Sequence, residues 1–556
     1  MFSHQLISRG LPAVLLVLLA LPAGAQSFRV QCPTSTITHP NAANNNAEPA
    51  YNGPTQLTCS VPNGCGGSAG KDGYLVPLPG TTAQGAIKCQ QISGGDGYAT
   101  MGDGTQTYLF GFGPLSGLAD IANGKPGTEF PNVFNTVYSG APLVPGDPAT
   151  SDPNFYTEIS QLFTYNGAVG LVPDVDANGG NGTAGAPVNG HVDPRPIMDV
   201  GVMNANMPAP LFAIDEDDEF FLTLTNVGMI MRPDLFEQHT VHFHGYPNAS
   251  AFYDGVPDAS VAINIGGSFT YYYLAPDAGT YFWHCHITPP EHLQMGMVGQ
   301  LYVRPRQNRV PSTTQLGTAL VAQQGDPRTA CRRQGDGATP TVASAPDILC
   351  SNPVPAVATT ATGGAKYAYN DGDGSTAYDV EYPIQIHGFD PNFHFVGMTF
   401  NPEGFSDMKD KYFLLNGRSY PDTVTSGGLQ TPSADGVNHF SQPLNSIISI
   451  PAGGKALLRI SSLDVSEYQT LASLGIPMKV IGYNAKLLRD QAGNNLYYTT
   501  NSITLGGGES LDVILDASDT KKYPSGSVFY LYTPNLDHLS NDAENFGGLM
   551  TEVRIN

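Results

Sequence analysis

Thr280–Met297 reads TYFWHCHITPPEHLQMGM and sets Cys285 between two histidines, while upstream His239–Gly245 reads HTVHFHG. Side chains on a strand alternate between its two faces. In a strand through YFWHCHI, Cys285 therefore points one way, and His284 and His286 point the other. His242 and His244 likewise share a face, and His239, an odd number of positions away, takes the opposite one. Two neighbouring strands then present one face with His239 and Cys285, and another with His242, His244, His284 and His286. His292 and Met297 follow the strand and add an imidazole and a thioether to the first set. Two imidazoles, one thiolate and a weak thioether form the ligand set of a blue-copper site, because that mixture suits copper in both redox states. His239, Cys285, His292 and Met297 are thus expected to hold one copper and the four-imidazole face a second copper centre. Met295 competes with Met297 for the axial place; the register of HLQMGM favours Met297. A lone strand histidine is ordinarily structural and a lone cysteine a small buried hydrophobe, but matched parity in two short segments does not arise that way.

The cysteine count leads to the same residue. Seven cysteines is an odd number for an exported chain, where thiols pair. With Cys285 set aside, Cys32, Cys59, Cys65 and Cys89 cluster near the start with three possible connectivities, and Cys331 and Cys350 are expected to pair. Export is expected because MFSHQLISRGLPAVLLVLLALPAGAQ has a basic residue, an apolar run too short to span a bilayer and a small-residue cleavage site. No later segment is apolar enough to cross a membrane, so the protein is placed in the periplasm or outside the cell. A formal charge of −23 argues against nucleic acid and anionic membranes as partners.

Short strand-like runs bounded by Gly and Pro turns indicate an all-β chain of two β-sandwich domains. The expected divisions are a signal peptide (1–25), a cysteine-rich extension with little regular structure (26–93), a copper-binding domain (94–305) with a surface insertion at about 114–192, a linker with a Cys pair (306–377), and a second domain (378–556). Asp96–Gly113 reads as a first hairpin. The acidic run DEDDE, Asp215–Glu219, reads as a solvated loop or strand start.

At the metal-site residues the chain resembles the multicopper oxidases. HTVHFHG is similar to their HxxHxHG element, and HCHITPPEHLQMGM to HCHxxxHxxxGM with two extra residues before His292. The resemblance implies cupredoxin-like Greek-key sandwiches, electron entry at the Cys285 copper with His292 on the solvent side, and transfer through Cys285 to His284 and His286. A second copper centre there would reduce an oxidant such as dioxygen. The reductant is expected to be a phenol, a metal ion or a redox protein. The second domain resembles one without blue copper: it has SVFYLYTPN where a copper strand would read HCH. The family uses eight imidazoles in four HxH pairs, whereas this chain has two pairs, and IQIHG keeps His387 but has Gln385 in place of its partner. The isolated His387, His394 and His538 are the remaining candidates to complete the centre, across subunits of a homo-oligomer such as a trimer. His39 and His439 read as solvent-exposed or hydrogen-bonding residues. A copper nitrite reductase-like enzyme, whose two-domain layout is similar, and a blue-copper electron carrier stay open as alternatives.

Overall fold

The computed structural model describes residues 84–116, 201–245, 250–275, 277–324, 350–357, 359–397 and 404–556, with short stretches at 36, 38–39, 49–51, 55–58, 74–77, 173–175, 187–192 and 197–198. The fold is all-β and built as two sandwiches. The first comprises β1 (Ile87–Thr100), β2 (Gln106–Pro114), β3 (Phe212–Asp215), β4 (Glu219–Gly228), β5 (His242–Phe243), β6 (Ser268–Leu274), β7 (Gly279–His284) and β8 (Val298–Arg304), with the short helix α1 (Pro289–Met295) between the last two. One sheet runs β6-β4-β1-β2 and the other β3-β8-β7-β5. Alternation along β7 sends Tyr281, Trp283 and the following Cys285 inward, where they join one core with Phe112, Phe212 and Phe220. Trp283 stacks on Phe212 at 4.5 Å and lies 5.0 Å from Phe112; such pairs add roughly 0.5–1.5 kcal/mol each beyond the area they bury.

The second sandwich comprises β9 (Val380–Phe389), β10 (Tyr412–Leu415), β11 (Ile448–Ile450), β12 (Lys455–Ser462), β13 (Gln469–Leu474), β14 (Met478–Tyr483), β15 (Lys486–Leu487), β16 (Tyr498–Thr500), β17 (Ser502–Leu505), β18 (Ser510–Asp516), β19 (Val528–Tyr532) and β20 (Met550–Ile555). Its sheets run β10-β9-β12-β18-β14-β15, with β16 also on β14, and β11-β20-β19-β13-β17. Ile384, Ile386, Ile460, Val480, Val513 and Val553 fill the space between. The contact between the two sandwiches is part apolar, with Met101, Leu109 and Met207 packed against Phe389, Tyr412 and Leu414, and part polar. Gln300 donates to the Arg459 carbonyl at 2.9 Å, Thr280 to Asp512 at 2.6 Å, and Arg304 pairs with Glu381 at 2.7 Å.

Three expectations are revised. The first sheet reaches into the expected extension: β1 starts at Ile87 and runs parallel to β4, Ile87 opposite Glu219, and Thr55–Thr58 pairs with Tyr74–Pro77. DEDDE does lead into a strand, β4 starting at Glu219, but Glu216, Asp217, Asp218 and Glu219 are buried, not solvated. Asp217 bonds both Arg306 and Arg309, Glu216 takes the Arg306 and Ala278 amides, Asp218 binds Lys88, and Glu219 meets His39 at 2.5 Å. Carboxylates enter a core when cations and amides meet them there, and these partners come from far along the chain. The stretch after β8 is also structured, with a helix at Leu316–Gln323 whose Leu316 and Leu320 are buried. Cys89 and Cys350 are each held in a disulfide, and Cys285 is the free cysteine among the described residues. Cys32, Cys59, Cys65, Cys331, the signal segment and most of the insertion lie outside them.

Candidate metal centre

β7 pairs with β5 so that His284 stands opposite His242. His239 lies just before β5, tied by a two-way backbone bridge to Ile263 at 3.1 and 2.9 Å, and its ring fills the space beside Gly94, where a Cβ would come within 2.7 Å of Cδ2. After β7 the chain turns through Thr288 (φ 36) into α1, whose first two positions are Pro289 and Pro290. Proline suits a helix's first turn, which lacks acceptors for those amides. Both prolines fall within the lengthened loop, and the helix they start carries His292 back to the thiol.

His239, Cys285 and His292 bring Nδ1 or Nε2 and Sγ within 4.8 Å of one another. His292 Nδ1 is 3.3 Å from Cys285 Sγ, and the Thr240 amide donates to that sulfur at 3.4 Å. His239, Cys285, His292, Met295 and Met297 are all fully buried. Burial pushes the thiol up, but the His292 and His239 imidazoles outweigh it and hold Cys285 well below the ordinary thiol range. Burial lowers His292, yet the adjacent thiolate lifts it to about 9. The His239 ring interacts with the Cys285 thiol, and its nitrogens have no nitrogen or oxygen partner among the described residues. A dry thiolate between two imidazoles that meet little else has the donor set of a soft-metal site, and copper fits it.

The expectation that His292 faces solvent is corrected. It is 0% exposed, its ring lies 5.1 Å from that of Phe110, and Glu237 stands 3.7 Å from its outer Nε2 with a side chain 28% exposed.

Behind this cluster lies the second. Ligand atoms of His242, His244 and His284 lie within 4.8 Å of one another, His244 Nε2 is 3.1 Å from His284 Nε2, and the His286 ring is 5.0 Å from that of His242. Nδ1 of His242 contacts the Asp254 carbonyl at 2.6 Å and Nδ1 of His284 the Cys285 carbonyl at 2.7 Å. Carbonyls at Nδ1 fix those protons there and leave Nε2 as the lone-pair donor. Burial lowers His284 to about 3 and His244 to about 4, which keeps both rings neutral. This set also fits copper.

The other histidines stand apart from both clusters. His387 Nε2 faces the Leu293 carbonyl at 3.1 Å, His394 Nε2 the Gln294 carbonyl at 2.9 Å, and His538 lies between Gln469 and Asn535 at 3.0 Å each. His39 is buried with Glu219, and His439 bonds Asp435 at 2.7 Å. The chain's own second sandwich faces the imidazole cluster across a cleft of about 610 Å³ lined by His244, Phe282, His284, Asp464, Tyr468 and Gly508. Gly508 (φ +82) is close enough that a Cβ would touch the His244 ring at 3.5 Å. Sequence reasoning missed Thr240, Glu237 and Asp254. Thr240 sits inside HTVHFHG and serves both clusters, since its amide meets the thiol and its hydroxyl accepts from the His286 amide at 3.0 Å.

The multicopper oxidase family model matches residues 188–308. Laccase abr2 of Aspergillus fumigatus is 33% identical over 109 residues, 19% of this chain and 17% of that protein. Multicopper oxidase MmcO of Mycobacterium tuberculosis is 30% identical over 133 residues, 22% of this chain and 25% of that one. The chain thus matches a quarter or less of the length of these relatives. Among solved structures, a blue copper oxidase from Nitrosomonas europaea aligns over 84% of this chain and 86% of its own at 16% identity and a TM-score of 0.45. A copper nitrite reductase from the same organism aligns over 63% and 79% at 14% identity and a TM-score of 0.36. Every residue of both clusters falls inside residues 188–308, the segment that matches the multicopper oxidase family model.

Proposed function

We propose that this protein is an exported, copper-dependent oxidoreductase that takes electrons singly from a small reductant or redox protein at the Cys285 cluster and delivers them to the four-imidazole cluster, where dioxygen is reduced. His239, Cys285, His292 and Met297 would hold one copper, and His242, His244, His284 and His286 the second centre. Copper in these places supplies one-electron redox chemistry and a site for oxygen.

The observation that carries the reading is the joint between the clusters. Cys285 belongs to one, its neighbour His284 belongs to the other, and the His284 ring bonds back to the Cys285 carbonyl. A covalent path and a hydrogen bond thus run side by side between them. The core round Cys285 excludes water, and Thr240 steadies the thiolate. Glu237, at His292's outer nitrogen, marks the shortest approach for a reductant, and the cleft at His244 and His284 gives dioxygen its way in. Four convergent imidazoles favour an enzyme over a simple electron carrier.

Oxygen uptake by the copper-loaded protein with a phenolic reductant tests the proposal. Uptake is expected from the wild type and not from Cys285→Ser or from His242→Ala combined with His284→Ala, the latter keeping its blue colour. A coloured wild type that consumes no oxygen with phenols, Fe(II), Mn(II) or Cu(I) would leave the electron carrier.

A further inference from the structure

Two buried histidines of the second sandwich close on the helix that joins His292 to Met297. His387 Nε2 lies 3.1 Å from the Leu293 carbonyl and His394 Nε2 lies 2.9 Å from the Gln294 carbonyl. The Gln294 side chain is held too: its Nε2 donates to Asp410 Oδ1 at 2.9 Å. The Leu293 carbonyl accepts from the Gly296 amide at 3.1 Å and meets His387 as a second partner, and a helix as short as Pro289–Met295 has little rigidity of its own. The His394 ring stacks on Phe389 at 3.6 Å, and its Nδ1 reaches the Tyr108 carbonyl of β2 at 2.5 Å. One ring thereby touches the ligand-bearing loop, the first sheet and the second sandwich.

We propose that His387 and His394 are positioning residues for the Cys285 cluster: His387, by donating Nε2–H to the Leu293 carbonyl, and His394, by packing between the Gln294 and Tyr108 carbonyls with one N–H for the two, set where His292 and Met297 stand about the thiolate, without binding metal themselves. This rests on the copper reading of that cluster. It gives the second sandwich a role toward the blue site although it contributes no ligand there.

An amide on two side-chain lengths separates positioning from mere filling of space. In glutamine the amide nitrogen falls near the place of imidazole Nε2, and in asparagine near that of Nδ1. On the full-length copper-loaded protein, His387→Gln is expected to keep the wild-type visible band and its Cu(II) electron-paramagnetic-resonance splitting. His387→Asn is expected to shift both and to weaken copper binding at the thiolate roughly 10–100-fold in competition with a chelator, and His394→Leu, which removes both carbonyl contacts, to do the same. Copper per chain at saturation stays unchanged in all three. A His387→Asn or His394→Leu variant matching the wild type in band and affinity would overturn the proposal, as would His387→Gln as perturbed as His387→Asn. Loss of a copper equivalent at saturation would overturn it too, by making the histidine a ligand. A wild type without a copper-thiolate band would refute the copper reading itself.

Discussion

The amide of Cys285 donates to the carbonyl of Met297 at 3.1 Å, which extends the β7–β8 ladder one step past His284 and Val298. Residues directly opposed in an antiparallel pair share a face, so Met297 stands on the thiol's side of the sheet, whereas Met295 closes the helix. Met297→Leu is expected to keep the intense visible band and raise the reduction potential, because a weak donor that stabilises Cu(II) is gone. Met295→Leu should leave the potential in place. Spectroelectrochemistry of both variants decides, and the reverse pattern would move the axial role to Met295.

The buried acidic run makes a second prediction. Arg306 is 1% exposed and its guanidinium bonds Asp217 at 2.6 Å, while its amide bonds Glu216. Removing one partner of a buried pair strands the other's charge, at about 3–5 kcal/mol. Urea unfolding of Arg306→Met should show a loss of that order. A loss below about 1 kcal/mol would mean that Arg309 alone satisfies Asp217.

Stability should also fall as pH rises through the range of Asp96. This carboxylate is 0% exposed, accepts from the Met231 amide at 2.8 Å through one oxygen, and has no partner for the other among the described residues. Burial raises its pKa from 3.8 to about 6. The folded state therefore holds this proton more tightly than the unfolded chain. That stability is complete below about pH 4 and is lost as pH climbs through about 6, by ~3 kcal/mol. Asp96→Asn should unfold with a flatter profile between pH 4 and 7. Parallel profiles for variant and wild type would assign the titration elsewhere.

The metal faces were legible because period-two alternation is local: Cys285, His284 and His286 declare their sides without knowledge of any partner strand. Depth was not. His292 reads as an outer ligand, yet it is buried beside Phe110 of β2, and no pattern near His292 foretells that. Asp215–Glu219 reads as surface because its cations, Lys88, Arg306 and Arg309, stand far off in sequence. His387 and His394 were harder still: what they meet is backbone carbonyl, which leaves no side-chain signature to pair with.

The central claim is that Cys285 is the thiolate of a copper site set back to back with a second, all-imidazole one. Its most direct test is the visible spectrum of the copper-loaded protein, with copper per chain counted, for wild type and Cys285→Ser. The account predicts an intense copper-thiolate band in the wild type, absent from the variant, which still retains copper at His242, His244, His284 and His286. A wild type without the band, or a variant that keeps it, would contradict the account.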